Sequence, residues 1–172
     1  MMTNTYLPIV GGLERSIESF TKKFRQWGHK VTIAVPELEG ADVHEPGIIK
    51  LPSVQSFKEP AFSIALPLSG VLSKAVAAFK PDVIHAHHPF LLGEMALRMA
   101  ARYEKPLVFT YHILFEQYAH YLPISATLGR RFLVELAAGF ANLSTHVIAP
   151  SESVRDILRS EGVHTPISIV PT

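Results

Sequence analysis

Four histidines close two of the apolar runs in this sequence, and they are the residues best suited to chemistry. His85, His87 and His88 end the run DVIHAHH, and His112 ends the run LVFTYH. Imidazole exchanges a proton near neutral pH, and its neutral form also ligates zinc. His85 and His87 are two residues apart, so on a strand their side chains point to the same face. The cluster therefore indicates hydrogen bonding, acid–base chemistry or a metal site.

Two interpretations of these histidines are open from the residues alone. In the first, His85, His87 and His112 ligate the metal of a metal-dependent hydrolase. The second needs no metal, and the sequence favours it because Pro89, rather than an acidic residue, follows His88. His85 then packs in the core, and His87 or His88 lines a cleft. His112 exchanges a hydrogen bond or a proton with a ligand at the end of its strand.

A pair of glycines, Gly11 and Gly12, directly precedes a predicted helix. Glycine lets a ligand approach the backbone closely, and a helix N-terminus favours an anion such as a diphosphate. An ordinary tight turn has the same sequence signature. The patterns GxGxxG and GxxxxGK[ST] are absent from the chain, which argues against an NAD dehydrogenase and a P-loop NTPase.

The elements that position these residues are apolar runs alternating with amphipathic helical patterns. Helical spacing predicts helices over 13–27, 66–79, 92–103 and 128–140, and a last helix between an N-cap at Ser151 and a stop at Gly162. For the helix over 128–140, the spacing assigns Leu128, Phe132, Leu136 and Phe140 to the apolar face. The apolar runs predict strands over 29–35, 47–51, 82–87, 107–112, 146–149 and 167–170.

Helices between nearly continuous apolar strands are typical of a parallel sheet covered on both faces. We therefore expect one doubly wound, Rossmann-like α/β domain over residues 1–172. Ligands of such sheets bind outside the carboxyl ends of the strands, where the glycine pair and the histidines fall. Residues 1–4 leave little length for a first strand, and 167–172 end on a strand. From this we expect a domain cut from a longer protein.

Composition limits the classes of partner. The 16 basic and 15 acidic residues give a net charge of +1, which argues against nucleic-acid binding, and the absence of cysteine excludes disulfide scaffolds and thiolate zinc sites. No apolar run approaches the roughly 20 residues of a membrane span, and no secretory signal is recognised, so a cytoplasmic location is expected. The sequence also has a basic cluster, which consists of Lys22, Lys23, Arg25 and Lys30. Such a cluster is ordinarily a solvated face, and with an apolar content of 48% the alternative is peripheral contact with anionic lipid.

Four segments, in order along the chain, resemble glycosyltransferase family 4, whose members have the GT-B fold. They are NTYLPIVGGLERSIESFTKKFRQWGHKVTIAVP, PDVIHAHHPF, VFTYH and VIAPSESVRDILRSEGV followed by ISIVPT. They match the family's P-x-x-G-G loop with its helix and G-H-x-V-x-V strand, its P-D-v-i-H-x-H strand, its T-x-H strand, and the run before the interdomain connection. The similarity covers essentially the whole chain.

The resemblance implies roles for individual residues. Gly11 and Gly12 match the loop that approaches the donor diphosphate, and His112 matches the active-site histidine near the donor sugar and the acceptor. Tyr6 falls in the acceptor-side loop. The segment YHILFEQYAHYLP is similar to the bacterial diacylglycerol glucosyltransferase branch, which implies acceptor contacts for Glu116 and Tyr118.

The resemblance also implies the reaction. It is retaining transfer of a hexose from a UDP- or GDP-sugar to a lipid or saccharide hydroxyl, at the cytoplasmic face of the membrane and without a metal or cofactor. Family members carry a second, C-terminal domain with an E-x7-E motif that makes most donor contacts. The chain then corresponds to the acceptor-side N-terminal half, which we expect not to turn over alone. A non-catalytic module that binds a sugar or nucleotide is an open alternative.

Overall fold

The computed structural model describes residues 1–9, 11–38, 46–55, 63–66, 70–112 and 125–171. Within those ranges the helices are α1 (Gly12–Gln26), α2 (Gly70–Phe79), α3 (Leu92–Tyr103), α4 (Ala126–Leu143) and α5 (Glu152–Ser160). The strands are β1 (Ile33–Pro36), β2 (Ile48–Leu51), β3 (Ser53–Gln55), β4 (Ser63–Ala65), β5 (Ile84–Ala86), β6 (Leu107–Thr110), β7 (His146–Ala149) and β8 (Ile167–Ile169).

The strands that carry the histidines belong to a parallel arrangement centred on the N-terminal segment. β1 pairs with β2, and β5 to β8 pair in chain order, all in parallel. Met2 forms parallel bridges with Ala34 of β1 and with Ala86 of β5, so it lies between these two strands. The resulting order, β2–β1–Met2–β5–β6–β7–β8, is the order of a doubly wound sheet with one additional strand.

Helices cover both faces of the sheet. On one face, Phe20 of α1 packs edge-on against His85 with a ring-centroid distance of 5.8 Å. On the other face, Phe140 of α4 packs against Phe109 of β6 at 4.9 Å. The central strands are apolar on both sides because both sides are buried, as the parallel-sheet prediction requires. The predicted Rossmann-like α/β fold is confirmed.

The last helix begins and ends where the sequence predicts. The hydroxyl of Ser151 accepts a hydrogen bond of 3.3 Å from the Val154 amide, which satisfies one of the unpaired donors at the helix start. After the C-cap, Gly162 has a φ of +83°, a left-handed conformation that favours glycine. The predicted N-cap at Ser151 and the predicted stop at Gly162 are therefore both confirmed.

The apolar face predicted for the fourth helix is wrong in part. Leu128 and Phe132 are 61% and 52% exposed, although the spacing assigns them to the core. The face that packs on the sheet is rotated and is formed mainly by small side chains; it consists of Leu133, Ala137, Ala138, Phe140 and Ala141. Alanine lets the helix lie close to the sheet, and a rule based on large apolar residues overlooks it.

Two further sequence predictions differ from the structure. The strand predicted over 29–35 starts at Ile33, because its ladder begins where Ile48 of β2 is opposite it. The antiparallel pair of β3 and β4 is not predicted at all, since each strand has only 3 residues and shows no periodicity. The helix predicted over 66–79 starts at Gly70 in the structure, and 67–69 lie outside the described residues.

Candidate functional site

The candidate site lies at the point where the strand order reverses around the N-terminal segment. From Met2 the chain passes through α1 to β1 on one side, whereas β5 lies on the other side. The His87 amide donates a hydrogen bond of 3.1 Å to the Met2 carbonyl, which carries the pairing beyond the end of β5. Doubly wound sheets form their ligand crevice at this reversal, outside the carboxyl ends of the strands.

His87 and His112 are in direct contact at this edge. Nδ1 of His87 and Nε2 of His112 share a hydrogen bond of 2.8 Å, and the two rings stack with centroids 5.0 Å apart. His87 is 0% exposed, whereas His112 is half-buried. The parallel register, which pairs His85 with Val108 of β6, places the two side chains on the same face. His112 is 24 residues from His88 in the sequence, and the structure brings it next to His87.

His85 packs against His87 of this pair. Its Nε2 and the Thr110 hydroxyl share a hydrogen bond of 2.6 Å, and its ring lies 4.2 Å from that of His87. The partner of Nε2 of His85 is therefore a side-chain hydroxyl. His85 is buried in the core, as predicted, and its neighbours in the stack are Phe20 and His87.

His88 points to the N-terminal segment. The Asn4 amide donates a hydrogen bond of 3.3 Å to Nδ1 of His88, so that nitrogen carries a lone pair. The Asn4 side chain donates to the Phe90 carbonyl at 3.1 Å and accepts from the Leu92 amide at 3.0 Å. Asn4 therefore fixes the turn that leads from β5 into α3. We call His85, His87, His88 and His112 the histidine cluster.

Burial makes the histidine cluster neutral. Desolvation is the largest cause in each case, and it lowers the pKa to about 3 for His85 and for His88 and to about 4 for His112. The pKa of His87 is also lowered well below its ordinary value, again mainly by burial. At neutral pH these imidazoles can donate and accept hydrogen bonds but carry no charge. The cluster cannot neutralise a diphosphate by itself.

The geometry gives the metal interpretation no ligand set in the described part of the chain. Across those residues no three His, Asp or Glu side chains are arranged to hold a metal ion. One nitrogen each of His87 and His112 is used in their mutual hydrogen bond, and Nε2 of His85 is paired with Thr110.

The second part of the site is the turn at the start of α1, residues 11–14, which we call the glycine turn. The Gly11 amide donates a hydrogen bond of 3.0 Å to Oε2 of Glu14, whose side chain is buried. A Cβ at Gly11 would lie 2.8 Å from that oxygen, but among the described residues outside the adjoining chain no atom would lie within 4 Å of a Cβ at Gly12. Packing therefore does not require glycine at position 12.

Packing does require glycine at one position behind the histidine cluster. A Cβ on Gly93, in the first turn of α3, would lie 1.8 Å from the backbone oxygen of His88. It would also lie 3.5 Å from the ring of Phe140. The close approach of α3 to the end of β5 depends on the absence of a side chain at this position.

Of the three predicted acceptor residues, the structure describes Tyr6. Tyr6 is 5% exposed and packs in a small core cluster with Leu13, Ile17, Ile33 and Val35. It also lines a cleft of about 580 Å³ along α1, whose other lining residues are Glu18, Thr21, Lys22, Arg25 and Gln26. Glu116 and Tyr118 lie outside the described residues.

Sequence reasoning missed four residues that organise the site. A glutamate three residues after a helix N-cap is a known capping signal, so Glu14 was detectable from the sequence. Thr110 and Asn4 carry no such signal, because their partners are brought close only by the register of the sheet. Gly93 lies inside a helical pattern, where an isolated glycine indicates close packing but not its partner.

Curated relatives are similar to this chain over much of its length. The chain is 31% identical over 178 residues to an alpha-monoglucosyldiacylglycerol synthase of Streptococcus pneumoniae, covering 100% of the chain and 39% of that protein. It is 26% identical over 126 residues to a synthase of the same name from Acholeplasma laidlawii, covering 71% and 31%. It is also 26% identical over 172 residues to a GDP-mannose-dependent alpha-mannosyltransferase of Corynebacterium glutamicum, covering 95% and 40%.

The fold and the family follow from two further comparisons. The structure is similar to a sucrose-phosphate synthase of Thermosynechococcus elongatus, with a TM-score of 0.65 and 17% identity over 99% of this chain and 47% of that chain. At this identity the similarity concerns the fold alone. The family model described as Glycosyltransferase Family 4 matches residues 10–172. The resemblance of the four segments is thereby confirmed, and the chain belongs to glycosyltransferase family 4.

Proposed function

We propose that this chain is the acceptor-side half of a retaining glycosyltransferase. The enzyme transfers a hexose from a nucleotide-diphospho-sugar to a hydroxyl of a lipid or saccharide. Family membership supports glycosyl transfer in general, and the relatives named above support both a glucosyl and a mannosyl donor, hence a UDP- or a GDP-sugar. The chain spans 31–40% of the length of those relatives, so the activity requires residues beyond it.

The observation that carries the proposal is the position of His112. It stands at the carboxyl end of β6, half-buried, with one ring nitrogen held by His87 at 2.8 Å. A neutral imidazole that is fixed in this way can hydrogen-bond a sugar hydroxyl in one orientation. His112 thus orients the sugar and does not act as a nucleophile.

The glycine turn is the donor side of the proposed site. The positive end of the α1 dipole favours a diphosphate, and apart from the adjoining chain no described atom lies within 4 Å of a Cβ placed on Gly12. Retaining transfer then proceeds by attack on the face from which the diphosphate leaves, and backbone amides near Gly12 stabilise the leaving charge. The neutral histidine cluster leaves the remaining charge to a C-terminal domain like that of other family members.

The proposed acceptor is a membrane glycolipid precursor. Two of the relatives are named as alpha-monoglucosyldiacylglycerol synthases, which supports diacylglycerol as the first acceptor to test. We assign acceptor contacts to Tyr6, Glu116 and Tyr118, as the resemblance implies. A saccharide hydroxyl is the second acceptor class to test.

Peripheral membrane contact through the end of α1 accompanies this proposal. Trp27 is 61% exposed, and the ammonium of Lys23 lies 5.2 Å from its ring centroid. Lys22 and Lys30 are exposed nearby, whereas the Arg25 guanidinium bonds the carbonyls of residues 31 and 46. An exposed tryptophan among lysines suits an anionic interface. None of the helices in the described ranges is long and apolar enough to cross a membrane.

The central test is His112→Ala in the full-length protein. UDP-glucose and GDP-mannose are each offered with diacylglycerol in mixed vesicles or with a soluble glycoside, and product is measured by mass spectrometry. We expect loss of transfer with the fold intact. Undiminished transfer by the variant would refute the role of His112. If the wild-type protein binds a sugar nucleotide but transfers nothing, the binding-module alternative is correct.

Vesicle sedimentation tests the membrane contact separately. The wild-type protein should pellet with phosphatidylglycerol vesicles at low salt, and the double variant Lys22→Glu, Lys23→Glu should pellet less. Wild-type protein that stays in the supernatant with anionic vesicles at low salt would eliminate this part of the proposal.

A further inference from the structure

The hydrogen bond between His87 and His112 restricts where each ring carries its proton. Both imidazoles are neutral, so each has one N–H and one lone pair. Only one proton can lie between Nδ1 of His87 and Nε2 of His112, which are 2.8 Å apart. One ring donates and the other accepts, and this choice determines the chemical nature of the two outer nitrogens.

The buried outer nitrogen of His87 distinguishes the two arrangements. Nε2 of His87 has no hydrogen-bond partner within the described part of the structure. If His112 donated to His87, this buried nitrogen would carry a proton that nothing accepts. If His87 donates, the same nitrogen carries only a lone pair. Buried N–H groups without an acceptor are rare in proteins, whereas acceptors that are not fully used are more common.

We infer that His87 is a positioning residue that donates its Nδ1 proton to Nε2 of His112. His112 then carries its own proton on Nδ1, because its hydrogen bond with His87 uses the other nitrogen, Nε2. In the proposed reaction, on which this chemical meaning rests, His112 is therefore a hydrogen-bond donor to an oxygen of the sugar or its diphosphate. It is not a general base.

The surroundings of His87 allow it to hold His112 rigidly. Its amide is bonded to the Met2 carbonyl at 3.1 Å, and its ring lies 4.2 Å from that of His85. His85 is held in turn by Thr110 and by the ring of Phe20. Because His87 is 0% exposed, it reaches a substrate only through His112.

The first experiment reads the tautomer directly and does not depend on activity. The full-length protein is labelled with 15N-histidine, and long-range 1H–15N correlation spectra distinguish a protonated from an unprotonated ring nitrogen. Signals are assigned with His87→Asn and His112→Ala variants. We expect His112 protonated on Nδ1 and unprotonated on Nε2. A proton on Nε2 of His112 would overturn the inference, whatever the enzyme transfers.

The second experiment measures transfer in two variants of His87. Leu at this position has no donor, whereas Asn places an amide nitrogen near the position of Nδ1. We expect His87→Leu to lower kcat between about tenfold and a hundredfold with little change in the donor KM, because a misaligned catalytic group costs about that much. His87→Asn should restore most of kcat. Provided that His112→Ala loses transfer, equal kcat in wild type and His87→Leu would also overturn the inference.

A matched control removes a histidine hydrogen bond elsewhere on the sheet. Nε2 of His146, at the start of β7, and the Ser168 hydroxyl are 2.9 Å apart. Ser168→Ala should leave the His112 spectrum and kcat unchanged. If His112→Ala retains transfer while the tautomer is as expected, the proposed function fails and the positioning of His112 by His87 stands.

Discussion

The histidine cluster and the glycine turn lie at the same edge of the sheet but are built in opposite ways. In the cluster, His85, His87 and His88 are each at most 7% exposed, and each has a hydrogen bond to a neighbouring residue. At the glycine turn, the space around a Cβ on Gly12 is empty to 4 Å. The difference teaches that one side of the site is fixed by packing and hydrogen bonds among its own residues, whereas at Gly12 none of the described residues outside the adjoining chain approaches the position of a Cβ.

Replacing Gly93 should have the largest effect on stability, because it disrupts the packing behind the histidine cluster. In Gly93→Ala the new methyl group would meet the His88 carbonyl oxygen at 1.8 Å, and a backbone atom cannot turn aside. Overpacking of this kind costs about 3 kcal/mol or more of the free energy of unfolding. The urea midpoint of the full-length protein measures it.

The matched control for this change is Gly139→Ala in α4, where no atom lies within 4 Å of the new Cβ. It should leave the free energy of unfolding unchanged or raise it by up to about 1 kcal/mol, because alanine is the better helix former. Equal midpoints for Gly93→Ala and the wild type would show that the packing around Gly93 is not rigid.

Lowering the pH should have the next largest effect on stability, because the histidine cluster is buried in its neutral form. The pKa values of His85 and His88 are about 3 in the folded protein, against 6.5 as the ordinary value. Between these values the unfolded chain binds protons that the folded chain excludes, so the free energy of unfolding falls as pH falls. From pH 6.5 to pH 5 the loss is about 2 kcal/mol for each such imidazole.

Urea midpoints at pH 7.5, 6.5 and 5 and constant ionic strength measure this dependence. The contribution of the imidazoles should be constant above about pH 7, where they are neutral in both states. The buried Met1 amino group adds a loss of stability that begins below about pH 8, because burial lowers its pKa from 8.0 to about 5. A midpoint that does not change between pH 7.5 and pH 5 would mean that the cluster is charged or solvated in the folded protein.

Replacing Gly12 should have the smallest effect on stability. A change in transfer by this variant therefore reports on the glycine turn and not on folding. The new methyl group of Gly12→Ala meets none of the described residues outside the adjoining chain, so the free energy of unfolding should change by less than about 1 kcal/mol. If a diphosphate approaches the backbone there, the methyl group should reduce transfer about tenfold or more.

The measurement is kcat/KM for the sugar nucleotide in the full-length enzyme, with Gly139→Ala as the control for a harmless methyl group. Unchanged kcat/KM in Gly12→Ala would remove the donor role of the glycine turn. It would leave the role proposed for His112 untouched.

The elements of the fold were predictable where a local signal specifies them. The start of α5 at Ser151, its end before Gly162 and the span of β7 follow from capping, glycine conformation and an apolar run. The face of α4 and the pair of β3 with β4 were not predictable, since they depend on which surface is offered by a distant part of the chain. Phe132 shows this, because its spacing is helical and apolar but its side chain is 52% exposed.

For the site, the sequence by itself determined the residue types and their alternation along each strand. It places His85 and His87 on one face, puts glycines before a helix and leaves the chain without thiolates. It also carries the order of segments by which the family is recognised.

Only the tertiary structure decided that His87 meets His112, because parallel strands are joined through long connections and their register is set by packing. It also decided that these imidazoles are neutral, since a pKa depends on how much water burial removes. The spacing of residues in the sequence determines neither the contact between His87 and His112 nor their pKa values. Both depend on residues that are far apart along the chain and close together in the fold.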